Sequence, residues 1–128
     1  MLKGYLTISA FIGALTVALG AFGAHYLKIL LSEQALSTYE TAVRYQFYHV
    51  FALALAGILH KSFPNKFVKY SAGFFLIGII LFSGSLFLLT LFSAMGNDQL
   101  KWIGAITPLG GIFLMGAWLL LAMGIRKG

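Results

Sequence analysis

Cysteine is absent from the 128 residues, and only three residues are acidic. Without thiols there can be no disulfide, thiolate nucleophile, iron–sulfur cluster or Cys-ligated zinc site. Charged residues make up 9% of the chain, where a water-soluble domain carries about 25%. So small a polar complement cannot cover a soluble body of 13.9 kDa. A hydrophobic content of 60% equally excludes a disordered chain. Catalytic templates are missing too: there is no G-x-S-x-G, G-x-x-x-x-G-K-[ST], H-E-x-x-H or dinucleotide fingerprint. Gly20-Ala21-Phe22-Gly23 lies inside an apolar run and does not read as a phosphate loop. Glu33, Glu40 and Asp98 are not spaced as a carboxylate pair for glycoside chemistry.

What the chain does contain is apolar length, with a mean hydropathy of +0.93. A hydrocarbon core of about 30 Å takes roughly 20 helical residues to cross. Apolar runs occupy residues 4–24, 45–59, 70–95 and 102–125. No run alternates as a barrel strand would, so helices are the expected spanning form. The expectation is an all-α integral membrane protein. Residues 1–128 form a single domain with four transmembrane helices at about 4–25, 40–60, 68–93 and 101–125, arranged as an up-down bundle. The start of the chain resembles a secretory signal, but its apolar run exceeds the usual 7–15 residues of a signal core.

Charge distribution sets the expected orientation. Lys3, Lys61, Lys66, Lys69, Arg126 and Lys127 fall on one side of these spans. Lys28, Arg44 and Lys101 fall on the other, with Glu33, Glu40 and Asp98. The excess of bases places both termini in the cytoplasm. Tyr5, Tyr26, Tyr70 and Trp102 lie near span ends and suit interfacial anchoring. The net charge of +6 and pI of about 9.8 point to the lipid bilayer as partner. Anionic lipids are expected at Lys61, Lys66, Lys69, Arg126 and Lys127, and no nucleic acid. Pro64 and Gly96-Asn97-Asp98 mark turns at opposite surfaces. In the stretch 27–36, Leu27, Leu30 and Leu31 share a helical face that would lie along the outer interface. Ser37-Thr38-Tyr39-Glu40 has the form of a capping box, a place for the second helix to begin.

The second span is short. Sixteen residues separate Arg44 from Lys61, about 24 Å of helix. Arg44 is therefore expected at the outer edge of the hydrocarbon, neutralised by Glu40 at i, i+4. Tyr48 continues that face, and Tyr45 and His49 form a second i, i+4 pair. With Tyr39, Gln46 and His25 these residues make a candidate ligand-binding cluster or, the favoured reading, a structural lock between helices. His25 and His49, on facing helices, could ligate a haem iron. They could as well hydrogen-bond Glu40 or a carbonyl. His60 reads as interfacial. No metal site and no cofactor are expected otherwise.

Fifteen glycines concentrate in the spans, where small residues let helices approach. Ala10, Ala14 and Ala18 form one small-residue row. Pro108 follows Gly104 by four residues, so its ring would press on the Gly104 carbonyl and kink the fourth helix. Thr107 would then bond a freed carbonyl. Gly104, Thr107, Pro108, Gly110 and Gly111 can be read as a cavity lining and hinge, or as a kink that fits a tight bundle.

Four motifs in order carry a family resemblance. They are Gly20-Ala21-Phe22-Gly23-Ala24-His25; Tyr39-Glu40-Thr41-Ala42-Val43-Arg44-Tyr45-Gln46-Phe47-Tyr48-His49; Leu81-Phe82-Ser83-Gly84-Ser85-Leu86; and Ile106-Thr107-Pro108-Leu109-Gly110-Gly111. Together the chain resembles the domain-of-unknown-function 423 family, small four-helix membrane proteins similar to transmembrane protein 256. The resemblance implies a multi-pass protein of the bacterial plasma (inner) membrane and no particular reaction. The leading expectation is a non-enzymatic component of membrane integrity or complex assembly, with a membrane-protein partner or a second copy. The alternative is binding or transport of a small molecule, lipid or quinone at the outer Glu/Arg/Tyr/His cluster. A bis-His haem b protein is the remote third.

Overall fold

The computed structural model describes residues 1–97 and 102–128 with their side chains, and residues 98–101 by backbone alone. The sides assigned above to the Asp98 and Lys101 charges therefore lie outside the described residues. Four long helices run up and down. α1 (Lys3–Phe22) continues through a π-helical turn, Gly23–Leu27, and a last α turn, Lys28–Leu30. α2 is Glu33–Leu59 and α3 is Lys66–Ala94. A 3₁₀ segment, Asp98–Ala105, leads into α4, Ile106–Lys127. All four are long and apolar enough to cross a membrane: Lys3–Leu30, Glu33–Leu59, Lys66–Ala94 and Trp102–Lys127.

The turns follow local chemistry, with one departure from expectation. α2 begins at Glu33, not near Ser37. Ser32, in extended conformation, accepts a hydrogen bond from the Ala35 N–H at 3.2 Å. Ser37 to Glu40 lie inside the helix, because the earlier serine already satisfies the orphan amides. Residues 27–36 consequently form no separate surface helix; they finish α1 and start α2. Asn65 caps α3 by accepting from Phe67 and Val68, and its amide donates to the Gly124 carbonyl at 2.9 Å. One side chain thus starts α3 and fixes the end of α4. Beyond the end of α3, Gly96 has a φ of +73° that allows the Asn97 N–H to reach the Phe92 carbonyl at 2.9 Å.

Both termini lie at one end of the bundle. The Leu2 N–H donates to the Gly57 carbonyl at 3.0 Å, and Gly128 lies against Phe63. Lys66 and Lys127 both approach the Phe67 ring there, at 5.5 and 4.5 Å. Neighbours in sequence are neighbours in space, with α2–α3 and α3–α4 the most extensive pairings. Leu53, Ala56, Val68, Ala72, Phe75, Leu114, Ala117 and Leu121 fill the core between α2, α3 and α4. α1 is peripheral: 17% of its most apolar stretch is buried, against 44% for α2.

Pro108 does not kink a helix interior. It sits in the first turn of α4, where its missing N–H removes no intrahelical bond. The 3₁₀-to-α change falls just before it. Thr107 meets the Ser85 hydroxyl of α3 rather than a freed carbonyl. Gly110 is where α3 and α4 touch most closely. A β-carbon there would collide with the Phe82 backbone, whereas Gly104 and Gly111 have ordinary room. Gly110 and Thr107 are therefore packing residues of the α3–α4 seam.

Candidate functional site

The expected cluster divides by helix face. At 3.6 residues per turn, Tyr39, Gln46 and His49 point into the bundle and are buried. Glu40, Arg44 and Tyr48 follow one another on the opposite, exposed face. Tyr45 sits between, its ring 4.8 Å from Phe82 and 6.1 Å from His49.

Each inward residue is bonded to a neighbouring helix. The Tyr39 hydroxyl donates to the Leu19 carbonyl, where α1 passes into its π turn. Its ring occupies the space that a Gly23 side chain would take, which accounts for a glycine at that position. The Gln46 amide donates to the Thr16 hydroxyl at 2.6 Å, and Thr16 donates to the Ile12 carbonyl at 2.6 Å. His49 has both ring nitrogens engaged. Nδ1 lies 2.7 Å from the Tyr45 carbonyl, and Nε2 accepts from the Trp118 indole N–H at 3.2 Å. A carbonyl cannot donate, so Nδ1 carries the proton and the imidazole is neutral. Further along, Ser83 donates to the Ala42 carbonyl at 2.9 Å, and Ser85 meets Thr107.

These bonds form one polar seam that draws on all four helices. It joins α1 to α2, α2 to α3, α3 to α4, and α2 to α4. Thr16, Ser83 and Trp118 were not singled out as partners from sequence. A signal existed for two of them. Ser9 and Thr16 are the sole polar side chains between Thr7 and His25, and they recur at i, i+7 on one face. Trp118 carries the sole side-chain N–H between Thr107 and Arg126.

His25 is exposed on the π turn, and both ring nitrogens of His49 are engaged by Tyr45 and Trp118. One expectation fails here: Glu40 and Arg44 do not pair. Among the described residues the Glu40 carboxylate has no hydrogen-bond or ion-pair partner. The Arg44 guanidinium donates instead to Thr41 at 3.3 Å. Both lie on the outer surface of the bundle, not in its core.

Their exposure opens onto a definite feature. A groove of about 230 Å³ lies between α1 and α2 at the end opposite the termini. Gly20, Gly23 and Ala24 line one side, and Tyr39, Glu40, Val43 and Arg44 the other. The small residues of α1 leave room beside the Tyr39 ring, and the groove presents one carboxylate and one guanidinium that form no ion pair with each other.

Four membrane-length helices joined by a buried polar seam define a small multi-pass helical membrane protein. Comparison with known proteins places it further. Residues 19–111 match the family described as protein of unknown function, DUF423. Relatives include a UPF0382 membrane protein of Haemophilus influenzae, 44% identical over 99% of this chain and 97% of its own length. The UPF0382 membrane protein YwdK of Bacillus subtilis is 33% identical over 98% of both. The UPF0382 inner membrane protein YgdD of Escherichia coli is 32% identical over 96% of this chain and 92% of its own. The chain belongs to this family of uncharacterised bacterial membrane proteins. No solved structure gives a significant match.

Proposed function

We propose that this protein is a non-enzymatic binding module of the bacterial inner membrane, which takes an amphiphile into the groove between α1 and α2. The Escherichia coli relative YgdD is named an inner membrane protein. The excess of Lys and Arg at the end carrying the termini supports a cytoplasmic side for that end.

The supporting observation is the division of the polar cluster. Tyr39, Gln46 and His49 are used up in helix-to-helix bonds, whereas Glu40 and Arg44 face an open groove and form no ion pair with each other. Charged groups on a spanning helix are unfavourable toward lipid and mark sites of use. This favours binding over a purely supportive role. At the opposite end Lys61, Lys66, Lys69, Arg126 and Lys127 are exposed and suited to anionic headgroups by charge alone.

Ala24 is exposed on the groove wall, so Ala24→Phe fills the groove without disturbing the core. Native mass spectrometry of the full chain in mild detergent should find an amphiphile bound to the wild type and lost from Ala24→Phe. A wild-type spectrum of bare polypeptide, or adducts unchanged by Ala24→Phe, overturns the reading.

A further inference from the structure

The groove has a direction. α2 runs from its Ser32 cap, at the end opposite the termini, to Leu59 at the end carrying them. Arg44 is seventeen residues from Lys61, about 25 Å at 1.5 Å per residue and so inside a hydrocarbon core of about 30 Å. Glu40 stands one turn further out, about 6 Å along the axis and level with the headgroups. The order from the bilayer interior outward is therefore apolar surface, guanidinium, carboxylate. Phe51 and Leu55, 68% and 43% exposed, continue the same face toward the midplane.

One common amphiphile has the complementary order: acyl chains, then a phosphate, then a primary ammonium. We infer that the groove seats the headgroup of a phosphatidylethanolamine from the leaflet opposite the termini, its phosphate on Arg44 and its ammonium on Glu40. The inference rests on the amphiphile-binding reading above and names its ligand class. A guanidinium fits phosphate with two parallel N–H···O bonds. A carboxylate accepts hydrogen bonds from a primary ammonium but receives none from the trimethylammonium of phosphatidylcholine, which has no N–H. A phosphatidylglycerol headgroup brings no cation to Glu40 and sets its own negative charge beside that carboxylate. Ala24, small and exposed on the groove wall, lets the glycerol backbone lie close to α1, where a larger side chain would exclude it. The basic cluster at the other end has Lys61, Lys66, Lys69, Arg126 and Lys127 with no acid among them, so it cannot make this distinction.

The test uses the full chain in nanodiscs of phosphatidylcholine doped equally with phosphatidylethanolamine and phosphatidylglycerol of the same acyl chains. Lipid retained on the ejected protein is read by native mass spectrometry. The wild type should retain phosphatidylethanolamine about tenfold over the other two, one charge-assisted contact's worth of discrimination. Glu40→Gln should keep lipid but lose the preference over phosphatidylcholine. Arg44→Gln should lose retention of all three, and Arg44→Lys should restore it in part. Equal retention of the three lipids by the wild type, or a preference that survives Glu40→Gln, overturns the headgroup assignment while a groove emptied by Ala24→Phe still stands. A dimer that Ala24→Phe dissociates, with no lipid retained, identifies a second copy as occupant and overturns both. Glu40 and Arg44 are exposed and unpaired with each other, so unchanged melting temperatures should show that their variants fold.

Discussion

The α3–α4 seam and the α1–α2 junction are built from similar material and end differently. Both carry glycines facing an aromatic residue. At the seam, Gly110 faces the backbone of Phe82, so the two helix axes come together and nothing is left between them. At the junction, Gly23 faces the ring of Tyr39, a side chain standing off its own helix. The helices stay apart on either side of that ring, and a groove persists beside it. Small residues close an interface where they meet backbone; where they meet the ring of a large side chain they leave room beside it. A seam held by close approach, with interhelical hydrogen bonds added, is how membrane helices associate when lipid is as apolar as their own surfaces.

Perturbations of three sizes separate these regions. Gly110→Leu should have the largest effect, because its side chain would have to displace main chain and not a rotamer. A loss of about 3 kcal/mol is expected, read as a fall in the midpoint of thermal or detergent unfolding. A variant that melts with the wild type would mean that α3 and α4 are not in backbone contact. Intermediate effects are expected at the junction. Tyr39→Phe keeps the ring but removes its bond to Leu19, and Gln46→Leu removes the bond to Thr16. Each should lower stability by about 0.6 kcal/mol and by no more than about 1.7. Neither leaves a stranded group, since the Leu19 carbonyl still accepts from Gly23 and Thr16 still donates to Ile12. A loss as large as that at Gly110 would erase the contrast between the two interfaces.

The smallest effect sharpens the comparison most. Arg44→Ala should change stability by no more than about 0.5 kcal/mol, as should Lys66→Ala, because Arg44 is exposed and bonds only Thr41. The opposite outcome, with Arg44→Ala far below Lys66→Ala in melting temperature, is what a buried Glu40–Arg44 couple would give. Such a result would return Arg44 to the structural side of the divide. The two measurements together distinguish a residue that holds the bundle from one that the bundle merely displays.

Much of the fold could be read from the residues, and the reason is the solvent. In hydrocarbon every backbone group must be satisfied within its own segment, so apolar length by itself specified four helices, and short links specified their up-and-down order. Local chemistry was less decisive. Ser37 and Ser32 are both capable caps, and which one the helix uses depends on where α1 stops. The Pro108 spacing suggested a kink only on the assumption that α4 begins well before it. The polar cluster was legible as a set but not as two sets. The i, i+4 spacing of Glu40 and Arg44 permits a pair without requiring one, and the fold turned both toward the groove instead of toward each other.

Composition and periodicity determined that this chain lives in a membrane, how many times it crosses, and that its polar residues gather at the start of the second helix. These follow from transfer free energy and helix geometry, which act on each segment separately. The tertiary structure alone decided which face of that helix turns inward. It matched Gln46 to Thr16, His49 to Trp118 and Tyr39 to the Leu19 carbonyl of α1, and it left Glu40 and Arg44 beside a groove. Those pairings depend on the rotation and depth of one helix against another, which are set by contacts between residues as many as 69 positions apart in the chain.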